Sequence, residues 1–277
     1  MAKKQLISFH GNQEIKDAKI VALKVHKELD NSKQGKYWRR SERKGCAVTC
    51  TMFTPEDFEN GNVNELDIHG RYITELGIPR IIARLEDRIF EGLPVSESKN
   101  WPLDFMEAIP VGVNLENVWR KFMIWLLTDN AEGVIKYAKN EDSRKAIQNI
   151  SDTFERSLAT EITDDEWYKL RVTARSYAAY AAAYAAYAAY AAAYAAYAAA
   201  AAAAAADAAD AADAADAAAA YAAADAADAA YAADAAAAAA AAADDAAAAA
   251  AAAASGVARR NHYVKMAAKL IELLKAA

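Results

Sequence analysis

Two thiols stand four residues apart in "KGCAVTCT", Cys46 and Cys50. On a helix that spacing places both sulfurs on one face. Together with His10 and His26, and with His69 as a further donor, they offer the ligand types that structural zinc takes. The spacing is C-x3-C and no second cysteine pair follows, so the competing reading is two buried thiols behaving as small apolar groups. A third reading is a reactive thiolate at Cys46, beside Arg43 and Lys44 and near a helix start, where thiol pKa values fall. No histidine can be matched to it by spacing as an orienting base. His26 lies beside the apolar face of a helix and reads as a packed residue, and His262 in "RRNHYVKM" reads as part of a solvated helix start. Glu86 and Asp87 are adjacent, so they point in different directions on a helix and do not form a catalytic pair.

A second set of residues suits binding rather than catalysis. Trp38, Arg39 and Arg40 belong to a basic, glycine-punctuated loop from Asn31 to Gly45, which would either meet an anionic ligand or serve as a solvated connector. Tyr184, Tyr187 and Tyr190 belong to a ladder, "YAAYAAAYAAYAAYAAAYAAYAA", that starts at Tyr177. Their rings could stack on bases or pack on a protein.

The elements that must position these residues are helical. In the first half, Asn12 reads as an N-cap before a helix with Ile15, Ala18, Ala22, Val25 and Leu29 at apolar spacing, ending near Asp30. "GIPRIIARLEDRIFEGLP" predicts a core helix with Pro79 in its first turn, Ile78, Ile82, Leu85 and Ile89 on one face, and Gly92 as its C′ residue. "NLENVWRKFMIWLL" predicts another, capped by Asn114 and burying Leu115, Val118, Trp119, Phe122, Met123 and Leu126. No alternating strand is evident, all five prolines lie at or before Pro110, and the class is all-α.

The second half changes language. From Tyr177 to Ala254 the chain is written in Ala, Tyr and Asp, and alanine has the highest helix propensity of any residue. Thr163 and Glu166 in "TDDEW" make a capping box that starts this segment, and Ser255–Gly256 reads as its stop. The tyrosines step by 3, 4, 3, 3, 4, 3 and four aspartates from Asp207 to Asp216 step by three. Packed Ala-rich helices, as a hairpin or bundle, are the favoured arrangement over a 3₁₀ run or a solenoid. The terminal "VKMAAKLIELLK" returns to amphipathic writing, with Met266, Leu270, Leu273 and Leu274 apolar, and should dock on the body or cap the array. The expected division is therefore a helical domain at 1–162, an array at 163–256 and a capping helix at 257–277.

Charge separates along the same lines. The formal net charge is −6, and nine of the 38 acidic residues, with none of the 32 basic ones, lie in the stretch 177–254. The rest of the chain carries +3. An acidic array repels phosphates, which argues against nonspecific nucleic-acid binding there. "MAKKQLISFHGNQEIKD" lacks the apolar stretch of a signal peptide, and membrane-centre aspartates cost roughly 2.5–3.5 kcal/mol each. A cytoplasmic protein without membrane contact is expected, and two cysteines without a disulfide framework fit a reducing interior.

Several segments occur in an order that looks familiar: His10–Gly11, "GCAVTCT" at 45–51, "ELGIP" at 75–79, "LEDRIFEGLP" at 85–94 and "AIPVG" at 108–112. Together they resemble a family of uncharacterised small proteins that recur in phage and bacterial genomes, some with alanine-rich C-terminal arrays. Thr49 stands where that pattern would have a second glycine. The resemblance implies a phage-related setting and no activity.

With no assembled catalytic constellation, the sequence leans away from an enzyme. The expected function is a non-enzymatic binding protein, a phage accessory or anti-defence factor that captures a nucleotide-like small ligand or a protein partner. The alternatives are an assembly protein that homo-oligomerises through Ala-rich helices, and a metal- or thiol-dependent enzyme centred on Cys46 and Cys50. No cofactor is expected outside the zinc set.

Overall fold

The structure, a computed structural model, describes residues 6–138, 141–163, 165–170, 172 and 245–277. The tyrosine ladder, with Tyr184, Tyr187 and Tyr190, and the aspartate steps lie outside these residues. The described chain is all-α apart from one short ribbon. It divides into two units, residues 1–119 with 258–277, and residues 120–257.

The first unit opens with a turn, Ser8–Gly11, in which Phe9 and His10 hold left-handed φ of 53° and 52°. Such backbone costs about 1–2 kcal/mol per non-glycine residue, so something must hold it. Ser8 is the anchor: its hydroxyl donates to the Pro110 carbonyl at 2.6 Å and accepts from Val113 N at 3.0 Å. Its backbone N–H donates to Val113 O, and its carbonyl accepts from Gly112 N. Across the turn, Gly77 has φ of +62°, and a Cβ there would fall 2.0 Å from the Ile7 carbonyl oxygen. The "HG", "ELGIP" and "AIPVG" segments thus interlock at one point.

Helix α1, Gln13–Glu28, starts where expected, with Asn12 Oδ1 accepting from Glu14 N at 2.8 Å. Its buried side is turned from the expected one: of the expected apolar face, Ile15 and Ala22 are half-buried and Ala18 is exposed. Val21, Val25 and Leu29 are 62%, 36% and 55% exposed, whereas Leu23 and His26 are buried. The body side of α1 carries Lys16 and Lys19 as well. After α1 comes an antiparallel ribbon, β1 (Trp38–Arg39) and β2 (Lys44–Gly45), paired Trp38 with Gly45 and Arg39 with Lys44. Strands of two residues are too short to show an alternating pattern, which is why the sequence reads as a loop.

Five short helices and one longer one complete the unit's core: α2 (Ala47–Met52), α3 (Pro55–Asn60), α4 (Ile68–Leu76), α5 (Arg80–Gly92), α6 (Val95–Ser98) and α7 (Trp101–Ala108). Helix α5 is central, with Ile82, Leu85 and Ile89 fully buried beside Ile78. Helix α8, Glu116–Thr128, begins with Asn114 Oδ1 accepting from Glu116 N at 2.7 Å, and buries the six apolar residues its spacing predicts.

In the second unit, α9 (Glu141–Ser157) buries Ala146, Ile147, Ile150 and Phe154. Phe154 meets the Trp167 ring at 5.3 Å. The Thr163–Glu166 capping box is present: Thr163 N donates to the Glu166 carboxylate at 3.2 Å, and Glu166 N donates to Thr163 Oγ1 at 3.3 Å.

Helix α10, Asp245–Lys275, runs through Ser255 and Gly256, so the expected stop is absent. Gly256 lacks the positive φ that a C′ glycine would adopt, and a helix absorbs one interior glycine for about 1 kcal/mol. Tyr263, Met266, Leu270 and Leu274 are buried along its last turns. The segment docks on the body, with the Tyr263 ring seated against Gly92.

Candidate functional site: a buried carboxyl centre on helix α5

Helix α5 carries "LED" across the middle of the first unit, and its three residues diverge as an α-helix requires. Leu85 joins the core. Glu86, also fully buried, points at α2 and α4. Its Oε1 accepts from Thr51 Oγ1 at 2.8 Å and its Oε2 accepts from Tyr72 Oη at 2.7 Å. The Trp101 indole N–H donates to the Glu86 backbone carbonyl at 2.8 Å. Among the described residues, no cation pairs with this carboxyl.

Desolvation therefore dominates its titration. Burial pushes Glu86 up to about 8, against the downward pull of the two hydroxyls and with a smaller upward push from Asp87. The shift favours the protonated carboxyl at neutral pH, in which one hydroxyl contact would turn round so that the carboxyl donates instead of accepting. Burial likewise drives the Tyr72 phenol well above its usual range.

The two cysteines border the same centre. Cys46 is the residue before α2 and Cys50 lies within it, each 1% exposed. Burial raises both thiols, reinforced by Asp87 at Cys46 and by Glu86 at Cys50. Burial reverses the expected lowering of Cys46 by a helix start and by Arg43 and Lys44, and both bases are engaged elsewhere. Arg43 pairs with Glu59, and Lys44 pairs with Asp30 at 2.6 Å. Thr49 has a distinct role: its hydroxyl donates to the Tyr37 carbonyl at 2.7 Å, which also accepts from Cys46 N at 3.1 Å. A Cβ on Gly45 would fall 2.9 Å from that same carbonyl, so the tight approach of ribbon to helix needs glycine there.

At the edge of the centre, Asp87 faces His69, with Nε2 to Oδ2 at 3.3 Å, and the Tyr37 ring meets His69 edge-on at 5.8 Å. Sequence spacing gives no hint of this pair. Adjacency rightly separates Glu86 from Asp87, but their partners come from α2 and α4, which only the tertiary fold supplies.

The zinc set is not assembled: among the described residues no group of three or more His, Cys, Asp or Glu is placed to hold a metal ion. His10 sits in the left-handed turn, with Nε2 3.1 Å from the Thr74 carbonyl. His26 is buried, with Nε2 2.8 Å from the Phe53 carbonyl and its ring 4.5 Å from Phe58. Desolvation lowers its pKa, so it stays neutral and donates through Nε2. His262 lies inside α10 rather than at a helix start.

His26 explains the turned face of α1, together with two lysines. Lys19 Nζ donates to the Met52 carbonyl at 3.0 Å, and Lys16 Nζ donates to the Glu107 and Ile109 carbonyls at 2.9 and 2.6 Å. These carbonyls are at the C-terminal ends of α2 and α7, where basic groups satisfy orphan acceptors and meet the negative end of the helix dipole. α1 presents its donors to the body.

The three ribbon candidates diverge. Trp38 packs on Phe58, with ring centroids 4.5 Å apart. Arg39 donates to the Gln34 carbonyl at 3.2 Å and lies 3.9 Å from Glu42. Arg40 is exposed, beside Gly61.

Fold and site together define an all-α protein built around a buried carboxyl, two hydroxyls and two thiols shut inside a helical body. No family model, curated protein or solved structure matches the chain. Among the described residues no helix is long and apolar enough to cross a membrane.

Proposed function

We propose that the chain is a non-enzymatic binding protein that engages a protein partner through the outer face of α1. The observation that carries this reading is the exposed stripe of Val21, Val25 and Leu29, with Ala18 beside it. Contiguous apolar side chains on a helix surface mark interaction sites more often than isolated ones do. The groups best suited to chemistry support the same conclusion from the other side. Glu86, Tyr72, Cys46, Cys50 and Thr51 are 0–1% exposed, so a substrate has no contact with them in this conformation.

The test is a full-length chain bearing Val21→Ser, Val25→Ser and Leu29→Ser, compared with the wild type by quantitative cross-linking in the cells it comes from. The expected result is loss of a cross-linked partner with an unchanged helical circular-dichroism spectrum. Identical cross-links in both proteins would remove α1 from the reading. A homodimer lost in the variant would instead favour assembly.

A further inference from the structure

The rim of the α1 stripe carries information about what covers it. At 100° per residue, Ala18, Val21, Val25 and Leu29 fall within one arc of about 80°, and His26, Lys19 and Leu23 lie further round the helix, about 60–120° beyond Leu29. Glu14 lies at the N-terminal end of this stripe, and Asp17 and Glu28 lie along one edge. All three are exposed, and none is ion-paired among the described residues. Lys24 shares the edge but is drawn towards Glu107, 3.9 Å away. This edge is therefore acidic, and Lys24, its one base, is balanced by a carboxylate of the body; the other edge, Ala22 and Ile15, is apolar.

We infer that the occupant of this face is a basic amphipathic helix of another protein, with apolar residues at i, i+3/i+4 and i+7 and Lys or Arg along its flank. This inference rests on the binding reading above and adds the partner's chemistry to it. α1 is about 24 Å long at 1.5 Å per residue, long enough to pair with three to four turns of a partner helix. Helix pairing of this kind sets apolar anchors between charged edges, and opposite charges at the edges fix partner choice. The same rim disfavours two other occupants. A second copy packed antiparallel brings Glu14 of one chain towards Glu28 of the other, and an anionic membrane surface meets three carboxylates.

The experiment uses the full chain and two fluorescent model helices of identical leucine pattern, one with lysine and one with glutamate at every polar position. Fluorescence anisotropy is read at low and high salt for the wild type, for the variant Val21→Ser/Val25→Ser, and for the variant Glu14→Gln/Asp17→Asn/Glu28→Gln. The expected result is saturable binding of the lysine helix alone, weakened about tenfold by either variant, with the salt dependence reduced in the charge variant. Equal binding of both helices, or lysine-helix binding untouched by both variants, would overturn the inference. So would a stripe-dependent homodimer in sedimentation, or stripe-dependent flotation with phosphatidylserine vesicles. If the cellular partner is lost in the serine variant while the lysine helix never binds, the partner chemistry is wrong and the binding reading stands.

Discussion

The ring of Tyr263 occupies the space that a side chain at position 92 would need. A Cβ built on Gly92 falls 2.3 Å from the ring's Cγ, Cδ2 and Cε2, closer than any real contact. Gly92 has no positive φ, so its value here lies in what it lacks, not in backbone freedom. Gly92→Ala should destabilise the first unit by about 1–3 kcal/mol through overpacking, measured by urea denaturation. Tyr263→Ala should cost about 3–5 kcal/mol through lost packing. The double variant should cost clearly less than the sum, since alanine at 92 meets no ring once Tyr263 is truncated. Strict additivity would disprove the contact.

Glu86 gives stability a pH dependence whose sign follows from its raised pKa. From its ordinary value of 4.5 up to about 8, the unfolded chain ionises the carboxyl while the folded chain keeps the proton. Its contribution is therefore fully present below pH 4.5 and is lost as pH rises towards 8, with a slope of up to about 1.4 kcal/mol per pH unit. Glu86→Gln cannot ionise and should flatten this part of the profile. Denaturation midpoints of both proteins between pH 5 and 9 decide the matter, and parallel profiles would mean that Glu86 is not the titrating group.

Cys46 and Cys50 should behave as inert thiols. Burial raises both, and the thiolate is the reactive form. Labelling with a disulfide reagent should be slow in the native protein, become rapid in denaturant, and track the unfolding curve. Fast stoichiometric labelling of Cys46 in the native state would restore the thiol-enzyme reading.

Lys19 should contribute by capping rather than by charge at the surface. Lys19→Met keeps the stem but leaves the Met52 carbonyl without its donor, at an expected cost of about 1–3 kcal/mol. The variant should retain its helical content. A neutral or stabilising result would show that the desolvation that lowers the Lys19 pKa outweighs the hydrogen bond.

The tyrosine ladder makes a separate claim, since Tyr184, Tyr187 and Tyr190 lie outside the described residues. Changing the three to alanine should abolish any binding of a small aromatic or nucleotide-like ligand while leaving partner capture by α1 intact. Native mass spectrometry of the purified protein reads both. Joint loss of the two would mean that the array and the body do not act independently.

Much of the local grammar was legible beforehand. Asn12, Asn114 and the Thr163–Glu166 pair cap helices as their side chains predict, because capping depends on a few neighbouring residues. The buried face of α5 was legible for the same reason. The outward face of α1 was not, since an apolar stripe shows that a helix has two sides without saying which one meets the body. Two of the deciding residues, Lys16 and Lys19, look like surface residues until the carbonyl ends of α2 and α7 are in place. The Glu86 centre escaped notice because Thr51 and Tyr72 reach it from other helices, and neither residue type signals a partner for a carboxyl. Gly92 is the last residue of α5, with Leu93 as the C-cap, rather than the expected C′ residue, and its bareness serves the Tyr263 ring. Gly256 was misread because glycine stops a helix only where the chain takes up a left-handed turn.

The first unit takes its residues from both sides of the second, leaving at Trp119 and returning at Ala258. The intervening stretch is an insertion held at both ends, and the Tyr263, Met266, Leu270 and Leu274 anchors all lie beyond the alanine tract. The packing of Tyr263 against Gly92 therefore cannot form until the chain has been made past the whole of that insertion.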